Sequence, residues 1–356
     1  LKNFLEARKI SYELIQGVGG PEIAAIAGIA PDRYGSGGDW RLAVFQQGKL
    51  LNPADRPDTY LLNDGMDLVF YYGSEDTKIP SSVTVSPARP KAGESVTVTY
   101  QEWDENMGRY RPAKVMSGAR VTAAGTTAVT GPSGKAVLTG LPAGVHEIEV
   151  TGYWADQAPS VLRTVCVVAV ADAAPDEESI APWAKDWVHD ARAYGILPGE
   201  GGSASGAFRP KDAVTRAEFV VSLVRGLGIQ PAAGPAPFED VQSDAWYARE
   251  IAAAAEAGLV TGTAPGRFSP DAALTREQAA MLLVRALKLQ ASKAVMPADG
   301  DLISAAARQA VMAVMEQGWM TAQADGRFHP KQTVTREQAA VIAMRVLNRE
   351  GIGRDR

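Results

Sequence analysis

The chain has 356 residues, of which 46% are hydrophobic and 22% charged, and its formal net charge is −5. This length predicts more than one domain, and the acidic balance argues against nucleic-acid binding, which requires a concentrated basic surface. The single cysteine, Cys166, excludes an internal disulfide. No apolar run approaches the roughly 20 residues that cross a bilayer.

Residues 1–74 predict a small α+β domain, with an amphipathic helix at 4–10 and strands at 39–45 and 67–72. Hairpin turns are expected at 46–49 and 63–66. The Trp40-x-x-x-Val44 strand, Gly48 and the Asp-Gly-Met-Asp turn before Val-Phe-Tyr-Tyr resemble the β-grasp domain of unknown function related to the C-terminal part of cobalamin carriers. Because the chain opens with Leu1 inside the expected helix, it is interpreted as a piece of a longer protein.

Residues 79–171 predict strands and turns only. The segments 82–86, 94–100 and 146–151 alternate apolar with polar residues, which is typical of half-buried strands. Together with the glycine- and proline-containing turns, they resemble bacterial immunoglobulin-like or carboxypeptidase-regulatory-like modules, which implies a β-sandwich that serves as a spacer. The acidic, proline-containing stretch 171–179 is interpreted as a linker.

A phrase of the form Phe-x-Pro followed by Thr-Arg occurs three times in the C-terminal half. Its threonines, Thr215, Thr275 and Thr335, follow one another at intervals of 60 residues. Such regularity predicts one supersecondary unit stacked three times. Each unit is predicted to be a helix, a loop and a second helix that opens at the threonine. The predicted repeats are residues 178–228, 237–289 and 297–348.

The start of each second helix predicts a capping box, in which a threonine hydroxyl and the side chain three residues later satisfy main-chain amides. The pairs are Thr215 with Glu218, Thr275 with Gln278, and Thr335 with Gln338. Capping does not explain the arginine after each threonine, because a cation opposes the helix dipole there at a cost of about 0.3–1 kcal/mol.

A guanidinium group beside free amides at a helix N-terminus suits a carboxylate or a phosphate. We therefore predict that Arg216, Arg276 and Arg336 bind an anion. The alternative is that these arginines serve only as salt bridges between repeats.

The second unit carries the most complete motif. Its Phe238-Glu-Asp-Val241, Trp246, Gly258-Leu-Val-Thr-Gly262, Gly266-Arg-Phe268 and Thr275-Arg276 resemble the S-layer homology repeat. The resemblance implies an all-α, three-lobed domain with pseudo-threefold symmetry. It also implies binding of secondary cell-wall polysaccharide attached to peptidoglycan, through pyruvylated sugars held in grooves between repeats.

Within that resemblance, the three arginines engage the carboxylate of the ligand, and other residues shape the groove. The implied groove residues are Asp240, Asp299, Trp183 and Trp246, with Gly199 and Gly262 allowing close approach of the main chain. A core position is the alternative for either tryptophan. The third repeat has Ala306 and Ala322 at the tryptophan and loop-glycine positions, so the pocket that uses its groups is expected to be the weakest. The first repeat has a longer loop at 199–206, interpreted as a flexible surface insertion.

The three histidines are not paired at metal-ligand spacing, so neither a metal nor another cofactor is expected. The combined hypothesis is a non-catalytic anchor of a surface protein, located in the cell wall or S-layer of a Gram-positive bacterium. Two alternatives remain. The chain is the anchor fragment of a larger surface enzyme such as a polysaccharide hydrolase, or a tethered protein that binds a small corrinoid-like ligand.

Overall fold

The computed structural model describes residues 12–17, 20–26, 39–46, 49–54, 66–73, 77–106, 109–153, 159–203, 205–291 and 295–349. The chain forms two compact units. The first contains the strands up to Val168, apart from two short segments. Those segments, Arg89–Ala92 and Pro142–Val145, belong to the second unit together with the chain from Ala169 onward.

The N-terminal strands pair as an antiparallel hairpin, β1 with β2, and as an antiparallel sheet of order β4-β3-β5. They are β1 Tyr12–Gly17, β2 Gly20–Ile26, β3 Asp39–Gln46, β4 Lys49–Ala54 and β5 Met66–Gly73. The predicted strands at 39–45 and 67–72 are confirmed by β3 and β5, and Gln46 pairs with Lys49 across the predicted turn. The helix predicted at 4–10 lies outside the described residues.

Two further sheets follow in the first unit, one of order β10-β9-β12-β13 and one of order β11-β7-β6 with β8 beside β7. Their strands are β6 Pro80–Ser86, β7 Val96–Asn106, β8 Arg109–Val115, β9 Arg120–Ala123, β10 Thr126–Val129, β11 Lys135–Leu138, β12 Gly144–Tyr153 and β13 Pro159–Val170. Successive side chains of a strand point to opposite faces of its sheet, so every second residue of β7 faces the core. Val96, Val98 and Tyr100 are accordingly fully buried. The three predicted strands are confirmed by β6, β7 and β12.

The helices that the structure describes lie in the second unit, two in each predicted repeat. They are α1 Lys185–Ala193, α2 Arg216–Gly226, α3 Ala248–Glu256, α4 Arg276–Leu287, α5 Arg308–Glu316 and α6 Arg336–Arg349. Their apolar faces share one core, in which the loop phenylalanines Phe208, Phe268 and Phe328 are fully buried.

Main-chain hydrogen bonds join the three repeats in a closed ring. Val214 N donates to the carbonyl oxygen of Val334 at 2.8 Å, Val334 N to that of Leu274 at 2.9 Å, and Leu274 N to that of Val214 at 3.1 Å. Each repeat therefore bonds to both others just before the start of its second helix. This places the three Thr-Arg segments side by side, and it creates three interfaces between repeats.

The stretch at 171–179 is folded, so its interpretation as a linker is wrong. Ala171 N donates to the carbonyl oxygen of Pro90, and the carbonyl oxygen of Ala171 accepts from Ala92 N. In the same unit, Arg89 forms two hydrogen bonds, of 2.9 and 3.0 Å, with the carboxylate of Asp190 on α1. Residues far apart in sequence thus complete the first repeat.

Candidate functional site

Each loop phenylalanine is held by an aspartate of its own repeat, whose two carboxylate oxygens accept the amides of the phenylalanine and of the next residue. The distances are 2.8 and 2.6 Å for Asp176, 2.7 and 2.8 Å for Asp240, and 2.8 and 2.8 Å for Asp299. The residue after each phenylalanine has a left-handed φ of 53 to 62°, which turns both amides toward the carboxylate.

This geometry gives Asp240 and Asp299 a structural role, because their oxygens accept the loop amides and hold the phenylalanine loop in place. It also reveals Asp176, which the sequence analysis missed inside the presumed linker. The separation from aspartate to phenylalanine is 28 and 29 residues in the second and third repeats but 32 in the first. The longer loop at 199–206 accounts for that difference, so an alignment that allowed for it could have found Asp176.

Hydrogen bonding also changes the acidity of these carboxyls. Burial is the largest single influence on Asp299 and raises its pKa, but hydrogen bonds from the amides of Phe328 and His329, together with its own amide and the His329 side chain, outweigh burial, so the pKa lies below the ordinary value of 3.8. The same balance holds for Asp176 and Asp240. Because the folded-state pKa is below the unfolded one, the stabilisation is present above pH 3.8 and is lost as pH falls through the lowered value.

We therefore expect the urea midpoint of the repeats to fall as pH decreases below about 4. Asp299→Asn should destabilise the fold by about 1–3 kcal/mol at pH 7, because an amide offers only one acceptor oxygen to two buried amides. The exposed Asp301→Asn is the matched control and should change little. Equal unfolding curves for the two variants would contradict this role of Asp299.

The capping boxes indicated by the sequence are present. Thr215 Oγ1 accepts from Glu218 N at 3.2 Å, and Thr215 N donates to Glu218 at 2.9 Å. The main-chain amides that were predicted to be free for an anion are engaged instead, so this part of the prediction is corrected. Arg216 N and Ala217 N donate to carbonyl oxygens of the second repeat at 2.9 Å, and the equivalent amides of α4 and α6 do the same toward the next repeat in the ring.

The side chain of Arg276 crosses from the second repeat to the third. Its Nε donates to the carbonyl oxygen of Phe328 at 2.6 Å and its Nη2 to that of Thr321 at 2.8 Å. The guanidinium also lies 4.6 Å from the centre of the Phe328 ring. Burial lowers the pKa of Arg276, and the nearby charge of Asp299 opposes that effect. Arg276 therefore fastens two repeats together.

Arg336 is bound more completely, at the interface between the third and first repeats. It donates to the carbonyl oxygens of Phe208 at 2.6 Å and Pro198 at 2.7 Å, and its Nη1 forms an ion pair with Glu218. Only 2% of its surface is exposed. The prediction that the guanidinium is available to an anion is thus corrected for Arg336, which a carboxylate neutralises. In Arg276, two of the three nitrogens already donate to carbonyl oxygens.

Arg216 differs from both counterparts. It is 9% exposed, its Nε is buried, and its guanidinium donates no hydrogen bond to any residue that the structure describes. It lies 4.9 Å from the centre of the Phe268 ring, at the interface of the first and second repeats. Burial lowers its pKa, and the positive charge of Arg285 on α4 lowers it further. An anion bound beside the guanidinium would offset both the cost of its burial and the repulsion by Arg285.

The interfaces also differ at the residue after each arginine. Glu277 accepts from Ser304 N at 3.0 Å and pairs with Lys331, and Glu337 accepts from Ala181 N at 3.0 Å and pairs with Lys211. We call each of these sets a glutamate clamp.

The interface of the first and second repeats has no glutamate clamp, because Ala217 and Asp271 occupy the positions of the glutamate and the lysine. A different ion pair joins these repeats near the other end of α2, where Arg225 Nε donates to Glu250 at 3.0 Å. The side-chain ion pair of this interface therefore lies at the far end of α2, while the start of α2 is joined by main-chain bonds and carries an unpaired arginine.

The other predicted residues fall into two groups. Trp183 is 55% exposed, which excludes a core position for it, and Trp246 is half-buried. A Cβ on Gly199 would lie 2.4 Å from the carbonyl oxygen of Gly206, and one on Gly262 would lie 2.5 Å from that of Arg267. Close packing within each loop thus accounts for these two glycines without a ligand.

The repeats match a known family. The model of the S-layer homology domain matches residues 175–220, 237–280 and 298–340. Three segments of the chain therefore match the S-layer homology domain. Each matched segment contains one loop aspartate, one buried phenylalanine and one Thr-Arg helix start.

Several known proteins are similar to this chain. It is 36% identical over 171 residues to an endoglucanase of Bacillus sp. (strain KSM-635), covering 46% of this chain and 18% of that protein. It is 30% identical over 201 residues to the surface-layer 125 kDa protein of Lysinibacillus sphaericus, covering 55% and 17%. It is 30% identical over 173 residues to the exoglucanase XynX of Acetivibrio thermocellus, covering 47% and 16%. The chain thus spans less than a fifth of each relative's length.

S-layer homology repeats anchor surface proteins to the cell wall, so the protein is assigned to the bacterial cell wall or surface. Among the helices that the structure describes, none combines the length and hydropathy needed to cross a membrane. In the same described residues, no group of three or more histidine, cysteine, aspartate or glutamate side chains is arranged to hold a metal ion.

Proposed function

We propose that this chain is a non-catalytic wall anchor that binds an acidic group of secondary cell-wall polysaccharide at the interface of its first and second repeats. The observation that carries the proposal is the unpaired guanidinium of Arg216, which is nine-tenths buried. A carboxylate, such as that of a pyruvylated sugar, would accept two hydrogen bonds from its fork and neutralise its charge. Arg276 and Arg336 then serve to hold the repeats together.

Further parts of the proposal concern architecture. The ring of hydrogen bonds through Val214, Leu274 and Val334 supports a three-lobed, pseudo-threefold arrangement of the repeats. The two sheets at 80–170 are proposed to form an immunoglobulin-like spacer, and the N-terminal strands a β-grasp-like module. A second candidate function is the anchor of a larger surface enzyme such as a polysaccharide hydrolase. It is favoured by the similarity of this region to an endoglucanase and an exoglucanase.

The test is sedimentation of the protein with purified cell walls, before and after chemical removal of the polysaccharide. The wild-type protein should pellet with intact walls and stay in the supernatant with stripped walls. Arg216→Gln should stay in the supernatant with both, because glutamine lacks the charge and the paired donors. The exposed Arg308→Gln removes the same charge elsewhere in the repeats and should pellet as the wild type does.

Equal pelleting of the wild-type protein with intact and stripped walls would refute polysaccharide binding. Full pelleting of Arg216→Gln with intact walls would refute the role of Arg216 alone. The larger-enzyme candidate is tested independently by reading the complete open reading frame, where a hydrolase domain upstream of Leu1 is the expected result.

A further inference from the structure

A short segment that precedes the repeats in the chain is bonded to the first repeat. Residues Arg89–Ala92, which we call the strap, follow β6 in the sequence but belong to the second compact unit. Ala92 N donates to the carbonyl oxygen of Ala171 at 3.0 Å, and Ala171 N donates to that of Pro90 at 3.2 Å. Main-chain bonds thus hold the strap to the segment that leads into the first repeat.

The side chain of Arg89 joins the strap to α1. Its Nε and Nη2 donate to the two carboxylate oxygens of Asp190 at 2.9 and 3.0 Å, and its Nη1 lies 3.0 Å from a carboxylate oxygen of Asp186. Burial raises the pKa of Asp190, but the hydrogen bonds and charges of His189 and Arg89 outweigh it, so the pKa lies below the ordinary value of 3.8. Asp190 therefore stays ionised, and its two bonds to Arg89 are charge-assisted.

Two further polar contacts complete the attachment. His189 Nε2 donates to the carbonyl oxygen of Pro90 at 3.0 Å, and Lys91 Nζ lies 2.7 Å from a carboxylate oxygen of Glu177. The cationic side chains of the strap are open to solvent, at 38% exposed for Arg89 and 49% for Lys91. Of the four strap residues, only Pro90 is buried. The strap is therefore held mainly by ion pairs and hydrogen bonds, with little apolar contact.

The second repeat covers the same face of its first helix in a different way. Counted from the glycine after each helix, the positions of His189 and Asp190 are occupied in α3 by Ala252 and Ala253. These alanines are buried with Ala232, which lies in the connection before α3, in a small apolar cluster. One helix face is thus covered by an apolar segment in the second repeat and by a charged segment in the first.

This difference makes the cover of the first repeat sensitive to salt. The Debye length falls from about 10 Å in 0.1 M salt to about 3 Å in 1 M salt, so ion pairs between solvent-exposed groups weaken. Apolar contacts carry no charge to be screened, and the buried core of the repeats excludes counterions. High salt should therefore loosen the strap and leave the ring of repeats closed.

We propose that the strap is an electrostatic latch on the first repeat, which opens as a local unit when its ion pairs are screened, while the three repeats stay joined. Segments with few buried apolar contacts open at a lower free energy than the core of a domain. Opening breaks none of the bonds among Val214, Leu274 and Val334. It frees the carboxylates on and just before α1, so the first repeat gains an acidic face in the open state.

The test is amide hydrogen exchange of the full chain, followed by NMR at constant pH and temperature. Its probes are the amides of Ala92 and Ala171, whose bonds break on opening, and its reference is the ring amides of Val214 and Val334. Raising sodium chloride from about 0.1 to about 1 M should lower the protection of the probes by about fivefold, the size expected for a screened network of exposed ion pairs. The protection of the ring amides should stay the same.

Variants of the arginine identify the ion pairs as the cause. Arg89→Gln should lower the protection of the probes by about tenfold in low salt and reduce its salt dependence, because glutamine cannot form the charge-assisted bonds to Asp190. Adding Asp190→Asn should cause little further loss, because both substitutions break the same pair. The matched control is Arg163→Gln, which removes an exposed arginine paired with Glu149 and should leave the probes unchanged.

Two results would overturn the latch. Equal loss of protection by the probes and the ring amides in high salt would show that the strap opens only when the repeats unfold. Unchanged protection of the probes in high salt or in Arg89→Gln would show that the ion pairs do not hold the strap. Neither result bears on the polysaccharide site, which is tested separately by sedimentation with Arg216→Gln.

Discussion

Replacing Arg336 with methionine is expected to destabilise the repeats by about 3–5 kcal/mol, the usual cost of removing one partner of a buried ion pair. The side chain is 2% exposed, and its loss would leave Glu218 and the carbonyl oxygens of Phe208 and Pro198 without their donor. The measurement is urea unfolding followed by circular dichroism of the helices, with the slope of the transition checked for constancy.

Arg216→Met is the matched control, since it removes the same group from the equivalent position of the first repeat. It should leave stability unchanged or raise it, because the guanidinium there is buried, unpaired and repelled by Arg285. A loss as large as that of Arg336→Met would mean that the two arginines are equivalent. It would remove the main argument for a ligand at Arg216.

The second large effect is expected from building the missing glutamate clamp. The double variant Ala217→Glu with Asp271→Lys should raise the stability of the repeats by about 1–2 kcal/mol, since it recreates charge-assisted hydrogen bonds of the kind seen for Glu277 and Glu337. The two positions are adjacent across the interface, because Ala217 N donates to the carbonyl oxygen of Pro270.

The single variants provide the thermodynamic cycle for this prediction. Ala217→Glu alone should lower stability, because the new carboxylate meets Asp271 without a cation. Asp271→Lys alone should change stability by less than about 0.5 kcal/mol, because its side chain is exposed. Purely additive effects in the double variant would show that no clamp forms and that the interfaces differ for another reason.

Local patterns predicted most of the secondary structure correctly. The strands at 39–45 and 82–86 follow from alternation along the chain, and the starts of α2, α4 and α6 follow from threonine caps. The linker at 171–179 was interpreted wrongly because acidic and proline-containing sequence is typical of both linkers and capped loops. The role of Asp176 was not predicted, because its hydrogen-bond partners, Phe208 and Arg209, lie beyond a loop of unusual length.

The three arginines mark the limit of inference from the sequence. Their recurrence beside a helix dipole correctly signalled a purpose beyond capping, and for Arg276 and Arg336 that purpose is bonding to another repeat. The sequence pattern around these two arginines does not differ from that around Arg216 in a way that reveals which one is unpaired. The acceptors that engage them lie 45 to 138 residues away along the chain.

The sequence by itself determined the number of repeats and the place where each second helix begins. These properties depend on the spacing of apolar residues and on caps formed within four consecutive positions. Only the tertiary structure decided which guanidinium remains unpaired among the described residues. The reason is that this outcome depends on closing a ring of three repeats, which brings single substitutions such as Ala217 and Asp271 face to face across one interface.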